Sequence, residues 1–199
     1  MTTLSDTART RLLGVSTATL CTALCGAALL TACGSMSGSG MSGPAFSQAS
    51  LPATIQVPAG NRVAWETVGV GTILYECRDK ANMPGQTEWT FVGPDARLMD
   101  RSGKQVGKYY GPPATWEAND GSKLTATQLA VAPSGPTSLP FQLVKANPAM
   151  GSGAMTGVTY IQRVKLTGGV APATACTAAN KGARSTVNYQ ADYIFWKAA

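Results

Sequence analysis

The run "TWEANDGS", residues 115–122, places Trp116, Glu117 and Asp120 within five positions. Two carboxylic acids beside an indole are the parts of a glycoside hydrolase site. That chemistry needs two carboxyls about 5–5.5 Å or 6.5–9.5 Å apart, with a ring on which a sugar can stack. Asp95 is the other acid that could work with Glu117. The same residues also spell a turn. Asp120-Gly121 is a pair that supplies the φ > 0 corner of a β-hairpin. Pro112 and Pro113 fix φ and remove two backbone donors, which suits a loop meeting a strand and suits a sheet ladder badly. The turn is the simpler reading: it makes Trp116 a core anchor and assigns no catalytic residue. Trp116, Glu117 and Asp120 stay as the candidate ligand-facing group. Trp65, Trp89 and Trp196 likewise read as core anchors.

What is missing narrows the chemistry further. The chain has no histidine, which excludes Ser-His-Asp and Cys-His mechanisms and zinc sites built on imidazole. Phosphate-binding loops, dinucleotide glycine fingerprints and paired metal cysteines are absent too, so no metal and no cofactor is expected. Sixteen basic residues against ten acidic give a net charge of +6. The basic residues are scattered singly, unlike the clustered footprint of a nucleic-acid binder. They read as solubility, with weak attraction to anionic envelope polymers.

The N-terminus has the form of an export signal. Arg9 and Arg11 precede an uncharged run from Leu12 to Cys33, a basic region followed by an apolar one. A transmembrane helix is the rival, since the run has the length to cross a bilayer. Thr, Ser and Gly dilute it, however, and no basic stop-transfer cluster follows. "LTAC" at Leu30–Cys33 resembles the lipobox of bacterial lipoproteins. The resemblance implies cleavage before Cys33, a diacylglyceryl thioether on its sulfur and acylation of its new amino group. One acyl chain binds a membrane only marginally, whereas several hold essentially for good. Gly34 stands where an Asp would resemble an inner-membrane retention signal, which favours the outer membrane, on its periplasmic or surface face. Residues 34–50, "GSMSGSGMSGPAFSQAS", carry no charge and read as a flexible tether. The expected organisation is a signal peptide over 1–32, a lipidated Cys33 and linker over 33–50, and one domain over 51–199.

Five cysteines are present. Cys21 and Cys25 leave with the signal and Cys33 takes the lipid. Cys77 and Cys176 remain, and an oxidising compartment predicts a disulfide between them. No C-x-x-C pattern marks a redox-active pair.

The elements that must position these residues are strands. Period-2 alternation recurs in "RVAWETV", "TILYECR", "TEWTFV", "GVTYIQRVKL" and "VNYQADYIFW", each reading as a half-buried strand. In the fourth, Val158, Tyr160, Val164 and Leu166 fall on the apolar side, and Thr159, Arg163 and Lys165 on the wet side. Shorter runs such as "ARLMDR", "QVGKYY", "KLTATQLAVA" and "LPFQLVKA" lie between Gly-Pro-Asp, Ser-Gly-Lys, Asn-Asp-Gly-Ser and Pro-Ser-Gly-Pro, all turn chemistry. About nine or ten short strands predict an all-β fold, an antiparallel β-sandwich or a partly closed β-barrel. Two long loops, residues 147–157 and 167–184, complete it.

The blocks "VPAGNRVAWETVGVGTILYECR", "WTFVGPDARLMDRSGKQVGKYYGPPATWEANDGSKL", "GVTYIQRVKLTGGVAPATAC" and "YQADYIFW" together resemble domain-of-unknown-function family 3455. The resemblance runs from about Leu51 to Trp196 and implies a β-rich domain of secreted bacterial and fungal proteins, with no established activity. Members often carry His-Tyr-x-Gly-Pro where this chain has Tyr109-Tyr110-Gly111-Pro112. Any role that histidine has elsewhere is lost here. Three functions are therefore expected to compete. The first is a lipid-anchored, non-catalytic envelope protein, a binding or structural module with an envelope glycan or protein as partner. The second is a carbohydrate-active enzyme using Glu117 with Asp120 or Asp95. The third is a small-ligand binder with an apolar barrel pocket.

Overall fold

The computed structural model describes residues 45–199. The leader, Cys33 and the tether as far as Pro44 lie outside the described residues. Eight strands form the domain: β1 Asn61–Asp79, β2 Thr87–Met99, β3 Gln105–Tyr110, β4 Thr115–Ala118, β5 Lys123–Ala132, β6 Phe141–Ala146, β7 Val158–Gly168 and β8 Arg184–Ala198. Each pairs antiparallel with the next in sequence, and β1 pairs with β8. The all-β expectation holds, and the sheet is a closed barrel. No α-helix occurs among the described residues, only two short 3-10 turns, Ala53–Ile55 and Ala178–Asn180.

The strands are fewer and longer than the turn signals predict. "RVAWETV" and "TILYECR" are one 19-residue strand, because Gly69 and Gly71 serve packing rather than turning. A Cβ on Gly69 would lie 2.6 Å from the Tyr193 ring, so the glycine makes room for a tyrosine inside the barrel. Gly93-Pro94-Asp95, expected as a turn, lies within β2. The N and O of one strand residue point to the same neighbour, and the Pro94 carbonyl accepts from Gly111 N at 3.1 Å. The missing N–H thus faces the side where the β2–β3 ladder, which begins at Asp95–Tyr110, has already ended. A proline there costs little.

Two apolar clusters hold the barrel. The inner one includes Ile73, Tyr75, Leu98, Tyr109, Trp116, Leu124, Ile161, Tyr189, Tyr193 and Phe195. The outer one covers Val164, Ile194 and Trp196 with Ile55, Val57, Leu51 and Phe46 from the N-terminal approach. Residues 45–50, which composition groups with the tether, lie on the barrel wall. Phe46 meets Trp196 edge to face at 6.2 Å, and Gln48 accepts from Val57 N at 2.7 Å and from Gln162 Nε2 at 3.0 Å. Beneath this strap, residues 161–164 of β7 and 191–196 of β8 are buried on both faces.

Bulges decide which residues point inward. In β7 the register with β8 shifts between Val158 and Tyr160, and an extra residue flips the alternation that follows. Ile161 therefore joins the inner cluster and Tyr160 packs against the outer one. Arg163, two residues after Ile161, faces the barrel interior rather than the solvent that its place in the alternation predicts.

Cys77 and Cys176 form the expected disulfide, with Cα atoms 5.5 Å apart. The bond fastens the long β7–β8 loop to β1 at one end of the barrel. Tyr75 Oη donates to Gly169 O at 2.7 Å, Trp89 Nε1 to Thr174 O at 2.7 Å and Thr87 Oγ1 to Cys176 O at 2.9 Å.

Candidate functional site

The three residues singled out around the Asp-Gly turn point in three directions. Trp116 on β4 points inward and is buried. It stacks on Tyr109, its partner across the β3–β4 ladder, with ring centroids 4.5 Å apart and planes 19° apart, and it meets Tyr193 edge-on at 5.8 Å. Glu117, one residue on, points outward by strand alternation. It accepts a hydrogen bond from Tyr110 Oη at 2.8 Å and lies 3.3 Å from Lys108 Nζ. The Tyr110 bond, with Lys108 beside it, holds its carboxyl below the usual range.

Asp120 belongs to the turn itself, where Gly121 has φ +85°. Its Oδ1 accepts from Ser122 N at 2.9 Å and Ser122 Oγ at 2.6 Å, and its Oδ2 accepts from Ala154 N at 2.7 Å. The carboxylate thus clips the β4–β5 turn to the β6–β7 loop. The Ser122 bonds, aided by the Ala154 N–H, keep it ionised below its ordinary range. A general acid needs the opposite shift, towards neutrality. Asp95 sits exposed on β2, in a shallow outer groove of about 700 Å³ shared with Thr72, Arg97 and Gln190. Strand β3 lies between Asp95 and Glu117, so their strands are roughly 10 Å apart.

A different site lies inside the barrel. At the end bearing the β3–β4 and β5–β6 loops, a cavity of about 360 Å³ opens among Tyr109, Trp116, Phe91, Val144, Gln142 and Arg163. Its walls follow from the strand periodicity. Tyr109 and Trp116 are paired inward residues of β3 and β4, and Gln142 and Val144 are alternate residues of β6. Gln142 Nε2 donates to Gln128 Oε1 at 2.6 Å across the β5–β6 ladder. Eight strands leave an interior that side chains just fill or that holds one small ligand. Here bulky tyrosines fill the middle, and the cavity opens at the same end as the disulfide-fastened β7–β8 loop, which packs beside Leu139 of the lining.

Arg163 is the charged residue of this cavity. It is 8% exposed. One terminal nitrogen donates to Pro140 O at 3.0 Å, while Nε is buried with no acceptor. Among the described residues, no carboxylate lies within ion-pairing distance of it. The contrast with Asp192 is direct: that buried carboxylate, on the outer wall, has Arg101 at 3.0 Å and Lys165 at 3.5 Å. Around Arg163 stand phenols instead. Burial raises the pKa of Tyr75, Tyr109, Tyr189 and Tyr193, and the Arg163 charge opposes that rise at each. The phenols therefore stay protonated and cannot neutralise it. A second donor of the same lining, Trp116 Nε1, is also buried without an acceptor. Leaving a buried donor unmatched costs about 1–3 kcal/mol, more when it is charged.

Sequence reasoning reached Trp116 but not Arg163. The signal that could have found it is weak: an Arg on the wet side of a half-buried strand, whose phase depends on a bulge that the sequence does not mark. Among the described residues, no group of three His, Cys, Asp or Glu is placed to hold a metal ion, and no helix is long and apolar enough to cross a membrane. A family model described as protein of unknown function (DUF3455) matches residues 58–197. No curated protein and no solved structure matches the chain.

Proposed function

We propose that this chain, which belongs to the DUF3455 family of proteins of unknown function, is an exported, lipid-anchored envelope protein whose barrel is a non-catalytic binding module for a small ligand. The observation that carries the binding role is the cavity of about 360 Å³ at one barrel end, floored by Tyr109 and Trp116. Ligand sites are concave and mostly apolar, with a few polar groups, and begin near 300 Å³. This cavity fits a ligand of one or two rings. A non-catalytic role is supported by the carboxylates: Glu117 and Asp120 are ionised, engaged with neighbouring donors and turned away from the cavity.

The anchor rests on the leader. Arg9, Arg11, the apolar run and "LTAC" supply each part of a lipoprotein signal, and acylation of Cys33 puts the module on a membrane, with the outer membrane favoured. The module then meets its ligand outside the cytoplasm. Two measurements test the reading. Mass spectrometry of the mature N-terminus is expected to find acylated Cys33, and Cys33→Ser to abolish membrane retention; an unmodified N-terminus would refute the anchor. Ligand-observed NMR against a library of one- and two-ring compounds is expected to yield binders that Trp116→Phe and Tyr109→Phe perturb. A library without a single binder would refute the pocket.

A further inference from the structure

We infer that the barrel cavity takes a small monocarboxylate with an aromatic or apolar body, its carboxylate received by the Arg163 guanidinium. This rests on the reading of the barrel as a small-ligand binder and adds the chemical class of the ligand. The observation that carries it is a buried cation without a counter-ion in the cavity wall. Arg163 lines the cavity, is held at one terminal nitrogen by Pro140 O and, like Trp116 Nε1, has its Nε closed off from solvent, which leaves the rest of the guanidinium to meet an anion.

The charge sets the kind of acceptor. Arg163 is more than nine-tenths buried with no carboxylate partner, and a buried cation is ordinarily paired. An anion that enters the cavity supplies the missing partner. A guanidinium matches the planar oxygens of a carboxylate better than a point charge does. Arg163 is the only ionisable cation in the lining, so the site balances one negative charge, where a phosphate dianion would keep an excess. The remaining walls, Phe91, Tyr109, Val131, Leu139 and Val144, are apolar or aromatic and receive the body of the molecule. The Gln128–Gln142 amide pair closes the polar side without adding charge.

The test compares carboxylates with their neutral amides on the full chain: phenylacetate against phenylacetamide, and indole-3-acetate against indole-3-acetamide, by titration calorimetry or ligand-observed NMR. Each carboxylate is expected to bind at least about tenfold tighter than its amide, the range of a charge-assisted hydrogen bond. Arg163→Gln is expected to erase that preference. The wild-type comparison needs no variant, so a poorly folding substitution leaves the test intact. Equal binding of acid and amide would overturn the carboxylate assignment while the cavity reading survives. Failure of all four compounds would overturn the carboxylate assignment, and failure of the library of one- and two-ring compounds as well would remove the cavity reading.

Discussion

Replacing Arg163 by methionine is expected to make the ligand-free protein more stable. The substitution removes a guanidinium that is 8% exposed, has no ion-pair partner and carries an unmatched Nε. It also removes one good contact, the 3.0 Å hydrogen bond to Pro140 O. A hydrogen bond from a charged donor contributes about 1.5–3 kcal/mol, and its loss leaves a carbonyl that the adjoining loop can turn towards water. Against this stand an orphaned donor worth about 1–3 kcal/mol and the desolvation of a buried charge, several kcal/mol. Methionine fills a similar volume with apolar, adaptable atoms. The balance is a gain of about 1–3 kcal/mol. For a domain of this size that is a rise of about 2–4 °C in Tm per kcal/mol. Urea denaturation followed by tryptophan fluorescence, with calorimetry beside it, measures both, and an unchanged m-value keeps the comparison two-state. The same variant is expected to lose carboxylate binding, the usual trade between a strained site and stability. A loss of more than about 1 kcal/mol with a cooperative transition would refute the reasoning. It would mean that the phenol dipoles of Tyr75, Tyr109, Tyr189 and Tyr193 already compensate the charge.

Two further outcomes follow from the packing. Trp116→Ala is expected to cost about 3–5 kcal/mol, as truncation of a buried indole does, while Glu117→Gln stays within about 1 kcal/mol because an outer-wall ion pair contributes little; thermal melts of the two variants side by side check this. Replacing Cys77 and Cys176 by alanine together is expected to cost up to about 4.7 kcal/mol through the loop of about 100 residues they close and to expose residues 169–183 to protease, so an unchanged melt and digestion pattern would refute a stabilising role.

Much of this protein was legible before any fold was known. Alternation in "TILYECR" and "VNYQADYIFW" assigns Ile73, Tyr75, Tyr189, Tyr193 and Phe195 to one buried face, where the barrel interior holds them. This works because period-2 burial depends only on local backbone geometry. Asp120-Gly121 reads as a corner and is one, since its φ > 0 requirement is also local. Two cysteines left over after those of the leader predict a bond, and the bond joins them. What stayed hidden is set by distant parts of the chain. Closure of the sheet depends on β1 meeting β8 across more than a hundred residues. Gly69 is a break by propensity and a cradle by packing, because Tyr193 decides its role. The orientation of Arg163 turns on one extra residue in the β7–β8 ladder, and a bulge is a property of two paired strands, not of either sequence alone. Strand pattern and turn chemistry therefore specified the walls, while the pairing of those walls decided that an unpartnered cation faces the cavity they enclose.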